Sequence, residues 1–201
     1  SAATGLTTIG ELAFCRAAMA AVALPASVRT IGREAFSINK NLTAITVAAG
    51  NAGGYYAQDG VLYQAINSEV HLTCYPAGHA GVVFGIPDGV THIDRGSCSF
   101  AEELVTVTFP DTLKAIGDYA FSHCISLKTA QVGAGVTQGK GVFDGCYHLD
   151  AITIPEGTTV LGGGGFEGFP SLSKVTALTT PATVTDIRSS SVKHDNEYVV
   201  G

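Results

Sequence analysis

Two short stretches carry the side chains best suited to chemistry. His123-Cys124 and Cys146-x-His148 bring two thiols and two imidazoles into neighbouring copies of one pattern, a ligand set that tetrahedral zinc accepts. Both cysteines, however, fall in Phe-x-x-Cys-x-x-Leu, where the Phe and Leu spacing turns the thiol inward and leaves its histidine neighbour pointing elsewhere. The expectation is a buried, reduced, metal-free thiol ladder, since a disulfide there would distort parallel side chains. Gly133 to Gly141 imitates a phosphate loop, but Ala134 stands where the first glycine belongs and Gly141 where the magnesium-binding hydroxyl belongs. No nucleotide site is expected. The run Gly162-Gly163-Gly164-Gly165 resembles an anion nest and reads as a worn copy of a repeated turn. Glu102 and Glu103 adjoin, so a strand splays them apart and they make a poor acid–base pair. No Gly-x-Ser-x-Gly elbow occurs. The chain is read as a non-enzyme, with no catalytic residue, no metal ligand and no cofactor.

The elements that hold these residues come from a repeat. Ile9-Gly10-x-x-Ala13-Phe14 returns as Ile31-Gly32-x-x-Ala35-Phe36 and Ile116-Gly117-x-x-Ala120-Phe121, with degenerate copies at Ile93, Leu161 and Ile187. A second pattern, Leu-x-x-Ile-x-Ile and often Pro, follows each: Leu42/Ile45/Val47, Leu104/Val107/Phe109-Pro110, Leu127/Ala130/Val132, Leu149/Ile152/Ile154-Pro155 and Leu172/Val175. A period of this length marks a stacked-repeat protein. One coil cannot bury its own apolar residues, whereas neighbouring coils bury them against each other. The prediction is a repeat solenoid, mainly β, formed as a right-handed stack of roughly 23-residue coils with a parallel sheet and short turns. It spans residues 1–201 as a single domain. Phe36, Phe121, Phe143 and Phe166 should form one buried column. The register breaks between Ala48 and Gly85, where Gly60–Tyr63 and Val70–Tyr75 read as a β-hairpin inserted at about 48–85.

Composition narrows the partners. Net charge is −6 and no Lys/Arg run occurs, so nothing can build the basic face that nucleic acid requires. No apolar run is long enough for a transmembrane segment. Arg16 followed by apolar Ala17 to Leu24 imitates a signal peptide, but the run is short and falls in the repeat register, so this chain is read as carrying none.

The combined motifs resemble the BspA-like, or Treponema-type, leucine-rich repeats. Ile116 to Leu127 with Cys124, and Phe143-x-x-Cys146-x-x-Leu149-x-x-Ile152-x-Ile154-Pro155, carry the resemblance. Asp59-Gly60-Val61-Leu62-Tyr63 and Tyr75-Pro76-Ala77-Gly78 also look like family segments. The resemblance implies a bacterial cell-surface or secreted protein that binds other proteins, host extracellular-matrix proteins among them. Residues 133–143 and 162–165 depart from it by being glycine-heavy. The family has no defined binding motif, so no binding residue is carried over.

Candidate binding residues are therefore those the repeat leaves free. On the outward side of the strands stand Thr46, Thr106, Thr108, Thr129, Gln131, Thr153, Lys174 and Thr176, a nearly uncharged ladder. Threonine also has high β-propensity in solvent-facing strands, so the ladder reads equally as plain structure. Tyr55, Tyr56, Tyr63 and Tyr75 cluster in the insertion, which keeps a glycan-binding surface as the alternative to a protein-binding or adhesion module. A structural spacer is the third reading.

Overall fold

The structure, a computed structural model, describes residues 5–133 and 136–150, together with the backbone of two further strands at 151–154 and 174–177. Each fully described repeat forms one coil with two strand positions. The Leu-x-x-Ile-x-Ile segments give one set: β2 (Ala21–Leu24), β4 (Ala44–Val47), β8 (Val83–Gly85), β10 (Thr106–Thr108), β12 (Thr129–Gln131), β14 (Ala151–Ile154) and β15 (Lys174–Ala177). The segments ending at the Ile of Ile-Gly give the other: β1 (Thr8–Ile9), β3 (Thr30–Ile31), β9 (His92–Ile93), β11 (Ala115–Ile116) and β13 (Thr137–Gln138). Strands of successive coils pair in parallel, about 23 residues apart, so Phe84 stands beside Val107, Val107 beside Ala130 and Ala130 beside Ile152. No helix occurs among the described residues.

The repeat predicts the core closely. Leu42 and Ile45, Leu104 and Val107, Leu127 and Ala130, and Leu149 are all buried. Each such aliphatic side chain larger than alanine adds about 1.5–3 kcal/mol on full burial. The carbonyls of Pro25, Pro87 and Pro110 accept from the N–H three residues on, at 3.2, 3.2 and 3.1 Å. Those turns deliver Val28, Val90 and Leu113 into the interior.

The Ile-Gly dipeptide has a steric cause. A Cβ on Gly117 would lie 2.6 Å from the backbone nitrogen of Arg95 in the preceding coil, and one on Gly139 would lie 2.5 Å from that of Asp118. Gly32 is tighter still against Glu11. Coils touch backbone to backbone here, leaving no room for a side chain. Beyond this contact the chain makes a turn with two left-handed residues four apart. They are Glu34 and Ile38 (φ 52° and 58°), Tyr119 and His123 (55° and 57°), and Gly141 and Gly145 (53° and 71°). A non-glycine residue loses about 1–2 kcal/mol in this conformation, which gives the glycines at 141 and 145 a local reason. Through the turn, alternate N–H groups bond across coils and the rest bond locally: Phe121 donates to Val142, while Ser122 donates to Tyr119. The backbone is thereby satisfied without a helix.

The insertion contains the predicted hairpin and one strand more. β6 (Val61–Ile66) and β7 (Glu69–Cys74) pair antiparallel around Asn67 and Ser68, both left-handed, as a two-residue hairpin turn demands. β5 (Tyr55–Gln58) joins β6 through Asp59-Gly60, also left-handed. β7 then pairs in parallel with β9, which seats the insertion in the solenoid's own sheet.

This corrects the expectation of one phenylalanine column. The core falls into two clusters, one from Ile9 to Ile45 and one from Phe84 to Leu149, and the insertion supplies residues to both. Phe36 stacks on Phe14 at 5.8 Å in the first, while Phe121 stacks on Phe143 at 5.7 Å in the second. Between them the same position is held by Cys98 and, from the insertion, by Tyr75. Phe166 lies outside the described residues.

Candidate functional site

The outward face of the sheet from β8 to β15 is a regular surface that the repeat leaves free. Thr108, Thr129 and Gln131 are exposed and Thr106 is half-buried; in register, Thr106 stands beside Thr129 and Thr108 beside Gln131. Backbone pairing extends the two rows to Ala151 with Lys174 and to Thr153 with Thr176, whose side chains lie outside the description. At the other edge, Val83 pairs with Thr106 and is 63% exposed, next to Val82 at 51%. An apolar edge therefore adjoins a hydroxyl-bearing ladder. Thr46 lies on the separate two-stranded pairing of β2 with β4, where its hydroxyl donates to the carbonyl of Val22 at 3.4 Å.

The tyrosines do not form the surface expected of them. Tyr55, Tyr63 and Tyr75 are buried. The hydroxyl of Tyr55 accepts from the N–H of Ile31, and that of Tyr75 donates to the carbonyl of Gly81. Burial pushes the phenols of all three upward. Only Tyr56 of the four is exposed, with its ring stacked on Tyr63. Both faces of β6 are covered where it enters the solenoid, Val61 and Tyr63 by one core cluster and Leu62 by the other, so Tyr63 becomes a wall residue.

The thiols are placed as the repeat implied. Cys124 and Cys146 are fully buried, and each donates through Sγ to a carbonyl of the preceding coil, that of Cys98 at 3.2 Å and of Phe121 at 3.1 Å. Asn39 occupies the same place in its own coil and donates to Phe14 at 2.7 Å. The position thus calls for a small buried donor that bridges coils. Desolvation raises the thiol of Cys124 well above its ordinary range and that of Cys74 to about 12. Neither histidine joins the thiols: His123 stacks on Phe100 at 4.6 Å, and His148 contacts the carbonyl of Ile125.

The described end of the glycine-rich stretch, Val136 to Gly141, holds a short strand and the start of a turn. Thr137 and Gln138 pair with β11, and the N–H of Lys140 donates to the Asp118 carboxylate at 2.8 Å, an unsuitable neighbour for phosphate. Gly162 to Gly165 lie outside the described residues. Glu102 pairs with Lys40 at 2.6 Å, and Glu103 faces solvent.

Two groupings escaped sequence reasoning because the insertion creates them. In the seam between the second coil and the coil after the insertion, Arg95 contacts Glu34 at 2.7 Å and Asp118 at 3.5 Å and lies over the ring of Tyr119. On the sheet that includes β7, the half-buried Glu69, His71 and His92 converge, with Asp94 and Lys114 beside them. Their only sequence signal is two histidines one coil apart.

Similar architectures are known in solved structures. A leucine-rich cell surface protein from Faecalibacterium prausnitzii superposes with a TM-score of 0.72 at 29% identity, over 91% of this chain and 55% of its own. A leucine-rich-repeat protein from Eubacterium ventriosum gives 0.74 at 25% identity, over 85% and 52%. The pneumococcal vaccine antigen PcpA shares the fold, with a TM-score of 0.75 at 21% identity, over 100% and 61%. The chain thus spans between about half and three-fifths of the length of these relatives. No curated protein sequence matches it. Six copies of the BspA type leucine rich repeat region match residues 1–56 and 82–197, passing over β6 and β7, and the chain belongs to that family.

Proposed function

We propose that this chain is the non-catalytic protein-binding module of a bacterial cell-surface or secreted protein, and that it engages its partner along the sheet from β8 to β15. The observation that carries this reading is the exposed ladder of Thr108, Thr129 and Gln131 beside exposed Val82 and Val83. An uncharged hydroxyl row next to an apolar edge suits a large protein surface, and solenoids present such surfaces as extended faces. The cell-surface relative from Faecalibacterium prausnitzii supports the location. Proteins of the host extracellular matrix are the partner class to screen first. The glycan reading loses its support with the burial of Tyr55, Tyr63 and Tyr75.

The test is a binding screen of the purified chain against immobilised matrix proteins, repeated with Thr108→Lys, Thr153→Glu and Val83→Asp. Thr108 and Val83 are exposed and Thr153 pairs in register with exposed Gln131, so folding should survive, and binding should weaken at least tenfold in one or more variants. Full affinity in all three folded variants places the site elsewhere on the solenoid. Tyr56→Ser serves as the matching probe of the insertion's exposed side.

A further inference from the structure

We propose that Glu69, His71 and His92 form a binding site for a divalent transition-metal ion of the zinc class. His71 on β7 and His92 on β9 are register partners in adjacent parallel strands, and their rings stack at 4.6 Å within 8° of parallel. Glu69 lies two residues before His71 on the same strand, so alternation puts both side chains on one face. One ligand atom from each of the three lies within 4.8 Å of the others. Glu69 Oε2 is 3.9 Å from His71 Nε2 and 3.6 Å from His92 Nδ1. A tetrahedral ion with bonds of 2.0–2.1 Å holds its ligand atoms about 3.4 Å apart, so Glu69 Oε2 stands within about 0.5 Å of that spacing from both nitrogens, and the two stacked imidazoles must rotate to aim their in-plane lone pairs at one ion.

A further contact points the same way. His71 Nδ1 lies 2.9 Å from Asp94 Oδ1. As the donor in that pair, Nδ1 keeps its proton and leaves the Nε2 lone pair facing Glu69, the carboxylate–histidine arrangement that orients metal-binding imidazoles. His92 Nδ1 lies between Glu69 Oε2 and the hydroxyl of Thr91, 2.9 Å away. An ion at this point takes the place of the ring proton there. Lys114 holds the other oxygen of Glu69, Oε1, at 3.1 Å and leaves Oε2 free for the ion. Three protein ligands leave one position open to water. Asp94 stands where the other described coils carry the repeat glycine, and β7, not a repeat turn, is its neighbour there.

The test uses the tag-free full chain at neutral pH and zinc chloride alone, with a competing chromophoric chelator to report free zinc. Wild type should take up one equivalent at micromolar concentration and melt at a higher temperature with zinc than without. His71→Gln and His92→Gln should each weaken uptake at least tenfold and abolish the rise in melting temperature, while His148→Gln leaves both unchanged. Glu69→Gln, at a half-exposed position, covers the case of a histidine variant that fails to fold, and should weaken uptake at least tenfold. No uptake by wild type below about 100 µM, a concentration thousands of times weaker than structural zinc sites require, overturns the proposal. So does uptake that persists in the folded His71, His92 and Glu69 variants, since that places zinc elsewhere.

Discussion

Replacing Gly117 by alanine tests whether the repeat glycine exists for space and not for flexibility. The added Cβ would meet Arg95 N at 2.6 Å, Asp94 C at 2.9 Å and Arg95 Cα at 3.0 Å, all backbone atoms that no rotamer change can move. Ordinary contact begins near 3.4 Å, so the coils must part by about 0.8 Å. The Gly117 N–H donates to the Ile93 carbonyl at 2.8 Å, and the same movement stretches that bond beyond useful length. Overpacking of this kind costs about 1–3 kcal/mol and a lost hydrogen bond about 1. Reduced freedom of the unfolded chain returns about 0.4–1 kcal/mol. The net loss is about 1–3.5 kcal/mol, a fall of roughly 2–14 °C in Tm for a chain of this size. Gly10 occupies the same place in the motif, but a Cβ there meets nothing within 4 Å. Gly10→Ala should leave stability unchanged or raise it by up to about 1 kcal/mol. Urea and thermal unfolding followed by far-UV circular dichroism read both. Equal effects of the two substitutions would refute the steric account and return the glycine to a conformational role.

Truncating Phe121 to alanine removes a fully buried ring stacked on Phe143 and should cost about 3–5 kcal/mol, measured by the same melts. Ile38 is a partly buried β-branched residue at φ 58°, so in Ile38→Gly about 1–2 kcal/mol of conformational relief is set against about 0.4–1 kcal/mol of added unfolded-state freedom, and stability should stay within about 1 kcal/mol of the parent; a larger loss would show that its packing dominates. Native protein treated with a thiol reagent should be modified at half-buried Cys15 and spared at Cys74, Cys98, Cys124 and Cys146, with rapid modification at 124 and 146 as the contrary result. Stability should also fall on the alkaline side. Burial raises the thiols of Cys74, Cys98 and Cys124 above their ordinary value of about 9.0, so the unfolded chain loses those protons first and is favoured as pH rises past 9. Each thiol contributes about 1.4 kcal/mol per pH unit, giving a loss of about 4 kcal/mol near pH 10; identical urea midpoints at pH 7 and pH 10 would contradict it.

What the sequence made legible were the positions that packing forces to repeat. Leu104, Val107, Leu127 and Ala130 recur because every coil must fill the same interior, and the period alone placed them. The hairpin turn at Asn67-Ser68 was readable from its residues, yet the equally strong Asp59-Gly60 turn was read as part of a family segment, and β5 was missed with it. The burial of Tyr55, Tyr63 and Tyr75 was not legible for a physical reason: clustering in the insertion says nothing about which side chains face inward, and the insertion lends these three to the two core clusters. The pairing of His71 with His92 left only their spacing of about one coil as a signal. It depends on β7 entering the parallel sheet in register, which no local pattern announces.

That entry also decides how function in the insertion can be probed. A solenoid coil needs a partner only on each side, and β7 serves as the partner of β9 in place of a repeat strand. Leu62, Tyr63 and Leu72 are buried within the stack, and Tyr75 bonds the next coil through its N–H to Ser97 at 2.7 Å. Deleting residues 52–82 therefore strips the core and bares the edge of β9, so lost binding after such a deletion says nothing about recognition. The insertion's freedom lies in its outward positions. Tyr56 projects beside the β5–β6 turn, and Glu69 and His71 project from β7 onto a sheet face whose neighbouring coil supplies His92 and Asp94. Those side chains can be changed one at a time while the inward residues keep the two clusters joined, and point substitutions there separate a structural role from a functional one.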